Sequence, residues 1–281
     1  MPWVVPLLVA RSGICMTGSA FFGIRAMTIV SYISVPLIAL LGITAMIMAV
    51  RQGDASLAEK FAESQGLGVI TGAGMVIGSF VSGGTATPNF ARFAKTPKAA
   101  VWTTAIAFFL GNSLMFCFGA FSGVYVGGND NFEVMIALNL TVFAIIVLGL
   151  NIWTTNDNAL YSAGLGLSNI TKIKKSPLVL ISGALGTVAA IWLYNNFTGW
   201  LNILNCTLPP VGAILILGYF CHKEDYDQDK ENTLEVNWFA IAGVILGAVV
   251  ANVVPVGIAS INGMAVAVVC YLVGFAAGRK K

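Results

Sequence analysis

The sequence predicts an all-α membrane protein with about nine transmembrane helices. Three observations lead there: 57% of its 281 residues are hydrophobic, only 10% are charged, and apolar stretches of about twenty residues follow one another with short connections. An average soluble domain carries roughly 25% charged residues. A chain with a mean hydropathy of +0.85 has too few charges to make the polar shell that a water-soluble core of this size needs. Lipid is therefore part of its solvent. A net charge of +3 on scattered cations gives no nucleic-acid footprint, so no nucleic-acid partner is expected.

A hydrocarbon core of about 30 Å takes roughly 20 apolar residues of helix to cross. The spans read as Val4 to Gly23, Ala26 to Val50, Gly68 to Phe90 with an interruption, Ala99 to Val124, Asn139 to Leu165, Pro177 to Tyr194, Phe197 to Phe220, Asn237 to Val254 and Gly257 to Gly278. The apolar start lacks a basic leader and runs on for a full span, which predicts an uncleaved first helix. Cys15, Cys117, Cys206, Cys221 and Cys270 are far apart and odd in number, so they read as small apolar residues.

Lys and Arg in short loops favour the cytoplasmic side, and alternate connections differ sharply. One set holds Arg25; Arg92, Lys95 and Lys98; Lys172, Lys174 and Lys175; Lys223 and Lys230; and Arg279, Lys280 and Lys281. The opposite set holds Arg51 and Lys60, with Arg11 near the outer end of the first span. The C-terminus is thus predicted cytoplasmic and the N-terminus outside. His222 sits beside Glu224, Asp225, Asp227, Asp229, Glu231 and Glu235 and reads as part of a solvated loop.

Two places are polar at membrane depth. The first is Gly78-Ser79-Phe80-Val81-Ser82-Gly83-Gly84-Thr85-Ala86-Thr87-Pro88. Glycines and a proline weaken a helix, and unpaired backbone inside a bilayer is tolerated only where it is enclosed by protein or lines a cavity. An unwound segment here implies a site. The alternative is close helix packing through Gly74 and Gly78, a small-xxx-small pattern.

The second is the run Asn151-Ile152-Trp153-Thr154-Thr155-Asn156-Asp157-Asn158. An Asp at the centre of a spanning helix costs about 3 kcal/mol on insertion scales. Asn151, Thr154, Thr155 and Asn158 share one helix face by their spacing, with Asp157 at its flank. Oxygen ligands of low charge suit a hard monovalent cation, sodium above all, rather than a transition metal. The alternative is that these amides and hydroxyls bridge neighbouring helices. An intramembrane enzyme lacks its parts, because Asp157 is the sole acid in any predicted span and the sole His lies in a loop.

The runs Gly78 to Ser82, Leu148 to Tyr161 (LGLNIWTTNDNALY), Phe108 to Phe116 (FFLGNSLMF) and Trp192 to Phe197 (WLYNNF) closely resemble the nucleobase-cation-symport family, its cytosine-carrying bacterial members in particular. The resemblance covers the whole chain. It implies a leucine-transporter-like fold of two inverted five-helix repeats plus two extra helices, in which the third span is the discontinuous sixth helix and the fifth span the eighth. The chain then divides into 1–50 as a two-helix remnant of the first repeat, 66–220 as the second repeat and 237–278 as the extra pair.

The resemblance further implies sodium-coupled uptake of cytosine by alternating access in a bacterial cytoplasmic membrane, with no cofactor beyond the ion. Ser79, Phe80, Ser82 and Asn151 would hold the substrate. Asn151, Thr154 and Thr155 would hold sodium, the remaining ligands coming from the fold's first helix. Asn156, Asp157 and Asn158 would act behind these or carry a proton, the variant in which protons replace sodium. By the same comparison the fold's first three helices lie outside this sequence; the alternative to uptake by this chain is a truncated, non-transporting fragment or one part of a split transporter completed by another chain.

Overall fold

The computed structural model describes residues 3–52, 59, 68–126, 131–223 and 236–278. Its helices are α1 (Val4–Phe22), α2 (Ile24–Gln52), α3 (Val69–Ala91), α4 (Pro97–Ile106), α5 (Asn112–Val126), α6 (Asn131–Ala137), α7 (Thr141–Thr171), α8 (Lys175–Asn195), α9 (Phe197–Cys221), α10 (Trp238–Val253) and α11 (Ala259–Gly278). A π-helical turn, Ala107–Gly111, joins α4 to α5 as one continuous span. Backbone groups in lipid must find partners within their own segment, which is why the apolar stretches form helices. Among the described residues six helical stretches are long and apolar enough to cross a membrane, while Trp238–Val253 is apolar but shorter. The protein is a multi-pass membrane protein.

The nine predicted spans each coincide with helix, whereas the short α6 was not anticipated. The expected interruption in the third span is absent. α3 runs unbroken from Val69 to Ala91 and carries Pro88 within it. Each internal glycine costs about 1 kcal/mol of helix propensity, yet an open turn would strand several backbone groups, and the ladder prevails. The hydroxyls are satisfied on the same helix: Thr85 Oγ1 donates to the Ser82 carbonyl at 2.9 Å and Thr87 Oγ1 to the Gly83 carbonyl at 2.9 Å.

The chain packs as two compact units. The first comprises residues 1–65 and 89–191. Around Tyr161 of α7 its core gathers Ala20, Met27 and Val179, with Phe21 and Phe90 against them. A second core joins Ala45 and Ala49 of α2 to Met135, Leu138 and Ala144. The single residue between α1 and α2 is Gly23, whose φ of 86° an L side chain rarely adopts.

The second unit comprises residues 66–88 and 192–281. Ile214 of α9 packs with Ala267 and Tyr271 of α11. α10 and α11 cross closely, because a Cβ on Gly247 would lie 2.6 Å from the Gly263 carbonyl oxygen. Pro209 and Pro210 sit inside α9, fully buried. Ser260 Oγ of α11 donates to the Asn205 carbonyl at 3.4 Å.

The acidic cluster from Glu224 to Glu235 lies outside the described residues, as do Lys60, Lys230, Arg279, Lys280 and Lys281. His222 departs from the solvated-loop reading. Its ring packs edge-to-face on Phe275 at 5.3 Å and is half-buried. The five cysteines are free thiols, Cys206 buried and Cys15 and Cys117 exposed.

Candidate functional site

In the polar run of α7 the hydroxyls fold back onto carbonyls of their own helix, which satisfies them without a partner from another helix. Thr154 Oγ1 lies 3.0 Å from the Leu150 carbonyl and 3.1 Å from that of Asn151. Thr155 Oγ1 donates to the same Asn151 carbonyl at 2.8 Å. Three oxygens therefore converge within one helical turn. Asn158 Nδ2 donates to the Thr154 carbonyl at 2.7 Å. Asn151, Thr154 and Asn158 are half-buried and Thr155 is exposed.

Asp157 is the most enclosed residue of the run, only 1% exposed, although its spacing places it at the edge of the stripe. A carboxylate in an apolar interior needs hydrogen-bond donors. Ser19 of α1 supplies one, its Oγ lying 3.2 Å from Asp157 Oδ2 and 2.9 Å from the Met16 carbonyl, which competes for the same proton. Trp153 Nε1 donates to that Ser19 Oγ at 3.0 Å, so the indole backs up the hydroxyl. Asn156 reaches α1 as well, its Nδ2 standing 3.4 Å from Met16 Sδ. Ser19 and Met16 carry no motif signal; a lone Ser in an apolar helix is indistinguishable in sequence from packing.

At its far end α7 meets a second polar group. Arg92 Nη2 donates to the Tyr161 hydroxyl at 2.9 Å, and Lys175 Nζ sits 4.5 Å above the centre of the Tyr161 ring. Lys175 Nζ also donates to the Ala20 carbonyl at 3.4 Å. Within the same unit, Ile24, Met27, Thr28, Ser31, Tyr32, Val35, Pro36, Phe90 and Asn158 line an open cleft.

Ser79, Phe80 and Ser82 lie on α3 in the second unit and Asn151, Thr154 and Thr155 on α7 in the first; each group is described within its own unit. Phe80 is half-buried and Ser82 exposed. Gly78 faces Asn205 of α9, where a Cβ would collide with the carboxamide. Asn205 Oδ1 is buried without a hydrogen-bond donor among the described residues. Nothing in the local sequence around Asn205 signals this role, since only the packing of α9 brings it to Gly78.

A family model described as permease for cytosine/purines, uracil, thiamine, allantoin matches residues 3–274. The chain belongs to this permease family. Its similar relatives include cytosine permeases from three Escherichia coli strains, each 45% identical over 271 residues, covering 96% of this chain. The chain spans 64% of the length of those relatives. A permease moves its cargo unchanged, so the polar groups of α3 and α7 belong to a transporter family rather than to an enzyme.

Proposed function

We propose that the chain serves in sodium-coupled uptake of cytosine across a bacterial cytoplasmic membrane, by alternating access and with its C-terminus cytoplasmic. The observation that supports this reading most is the convergence of the Thr154 and Thr155 hydroxyls on the Asn151 carbonyl. This donor set is oxygen-only, uncharged and compact, which fits a hard monovalent cation. The 45% identity to cytosine permeases supports the choice of cargo.

In this reading Asn151 serves twice. Its carbonyl joins the two threonine hydroxyls around sodium, while its carboxamide, donor and acceptor together, meets the edge of the base. Cytosine is flat and uncharged, so Phe80 supplies a ring face for stacking, and Ser79 and Ser82 supply hydroxyls. Ion and base then favour each other's binding by linkage. Asp157, Asn156 and Asn158 hold α7 in place behind the ligands.

The test is radiolabelled cytosine uptake by cells producing the protein from its native gene. Uptake that follows the sodium gradient and vanishes in Asn151→Ala supports the reading. Undiminished uptake in that variant refutes it, and uptake driven by a pH gradient alone assigns the coupling to protons instead.

A further inference from the structure

We infer that the first unit holds one anionic phospholipid, its headgroup on Arg92 and Lys175 and an acyl chain in the cleft along α2. This inference is independent of what the protein transports. It starts from charge. Arg92 bonds the Tyr161 hydroxyl and Lys175 lies over the same ring, so two cations are drawn to one buried tyrosine. Their protein partners are neutral: a phenol, an aromatic face and the Ala20 carbonyl. Neither has a carboxylate partner among the described residues. Two like charges brought together without an opposite charge repel, and a phosphate group between them removes that penalty.

Three connections meet at this point. Gly23 joins α1 to α2, Arg92 follows α3 and Lys175 opens α8, and a Cβ on Gly23 would lie 3.1 Å from Lys175 Nζ. Arg25, Lys95, Lys98 and Lys172 are exposed in these connections or in the first turn of the helix that follows, on the side that the charge pattern assigns to the cytoplasm, where the anionic leaflet lies.

The adjoining cleft selects a lipid over a free anion. Phe90 lines it and also packs against Tyr161, with ring centres 5.9 Å apart, so the cleft opens beside the cation pair. From there it follows α2 from Ile24 to Pro36, about 18 Å at 1.5 Å per residue. Its walls are largely apolar, with Met27, Val35 and Pro36 among them. A free phosphate has no use for such a trough; an acyl chain fills it.

The experiment is native mass spectrometry of the detergent-purified protein titrated with phosphatidylglycerol, with phosphatidylcholine and, separately, with inorganic phosphate. One phosphatidylglycerol is expected to bind in preference to phosphatidylcholine. A basic side chain near an anionic surface contributes about fivefold in affinity, so Arg92→Gln with Lys175→Gln weakens the preference about twenty-fivefold. Val35→Trp, which fills the cleft and leaves both charges, weakens lipid retention of either headgroup. Arg92→Lys keeps the preference. Equal retention of the two lipids, or an unchanged preference in the double variant, overturns the inference. So does competition by inorganic phosphate at millimolar concentration, which assigns the cations to a free anion. Arg92 is exposed, so Arg92→Gln alone, with its fivefold loss, carries the test if the double variant does not fold.

Discussion

The Ser19 hydroxyl and the Asp157 carboxylate, 138 positions apart in sequence, lie 3.2 Å from each other on α1 and α7 in the interior of one unit. Removing one partner of a buried polar pair costs about 1–3 kcal/mol. Ser19→Ala is therefore expected to destabilise the protein by that amount, read as thermal unfolding in detergent. In an Asp157→Asn background the same change should cost less, because the group left unpaired is no longer charged. Equal costs in both backgrounds would show that the two side chains are not coupled.

Thr155 offers the cleanest probe of the proposed sodium site. Its hydroxyl touches the Asn151 carbonyl and its side chain is exposed, so Thr155→Val removes one oxygen at little structural cost. A lost ligand of about 1–3 kcal/mol raises the sodium concentration for half-maximal uptake about five- to 150-fold. Thr155→Ser, which keeps the oxygen, should leave that concentration near its original value. The measurement is the sodium dependence of initial uptake rates.

Gly78 tests the packing of α3 against α9. A methyl there meets the Asn205 carboxamide, and overpacking costs typically about 1–3 kcal/mol. Gly78→Ala is expected to lower the unfolding temperature and uptake together. Adding Asn205→Ala should restore stability. If the second change restores nothing, Asn205 is not the obstacle.

Gly247 is a harsher case because its neighbour is backbone. The Gly263 carbonyl has no rotamer through which to yield, so Gly247→Val should separate α10 from α11 and cost more than Gly78→Ala. Cysteine crosslinking between the two helices in membranes reports that separation as a lost product.

Much of the fold is legible in the sequence, because twenty apolar residues in lipid have few choices. Most span ends fall within a few residues of the helices, as Val4 to Gly23 against Val4–Phe22 shows, but α7 runs six residues beyond the predicted end at Leu165. The same rule explains the failure at Gly83 and Gly84: propensity predicts a break, but the demand for paired backbone is stronger. The polar run of α7 announces itself through composition. What composition does not carry is direction. Asp157 turns inward to Ser19 while Thr155 faces out, and Arg92 finds Tyr161 across 69 positions; these pairings arise from how α1, α8 and the connection that carries Arg92 are laid against α7.

The paired prolines of α9 have a consequence for how it is held. A proline has no N–H to give the carbonyl four positions before it, so Pro209 leaves the Asn205 oxygen outside the helical ladder. The Ser260 hydroxyl takes that oxygen. A defect in one helix thereby becomes a fastening for another: α11 grips α9 by main chain at the very turn where α9 cannot grip itself.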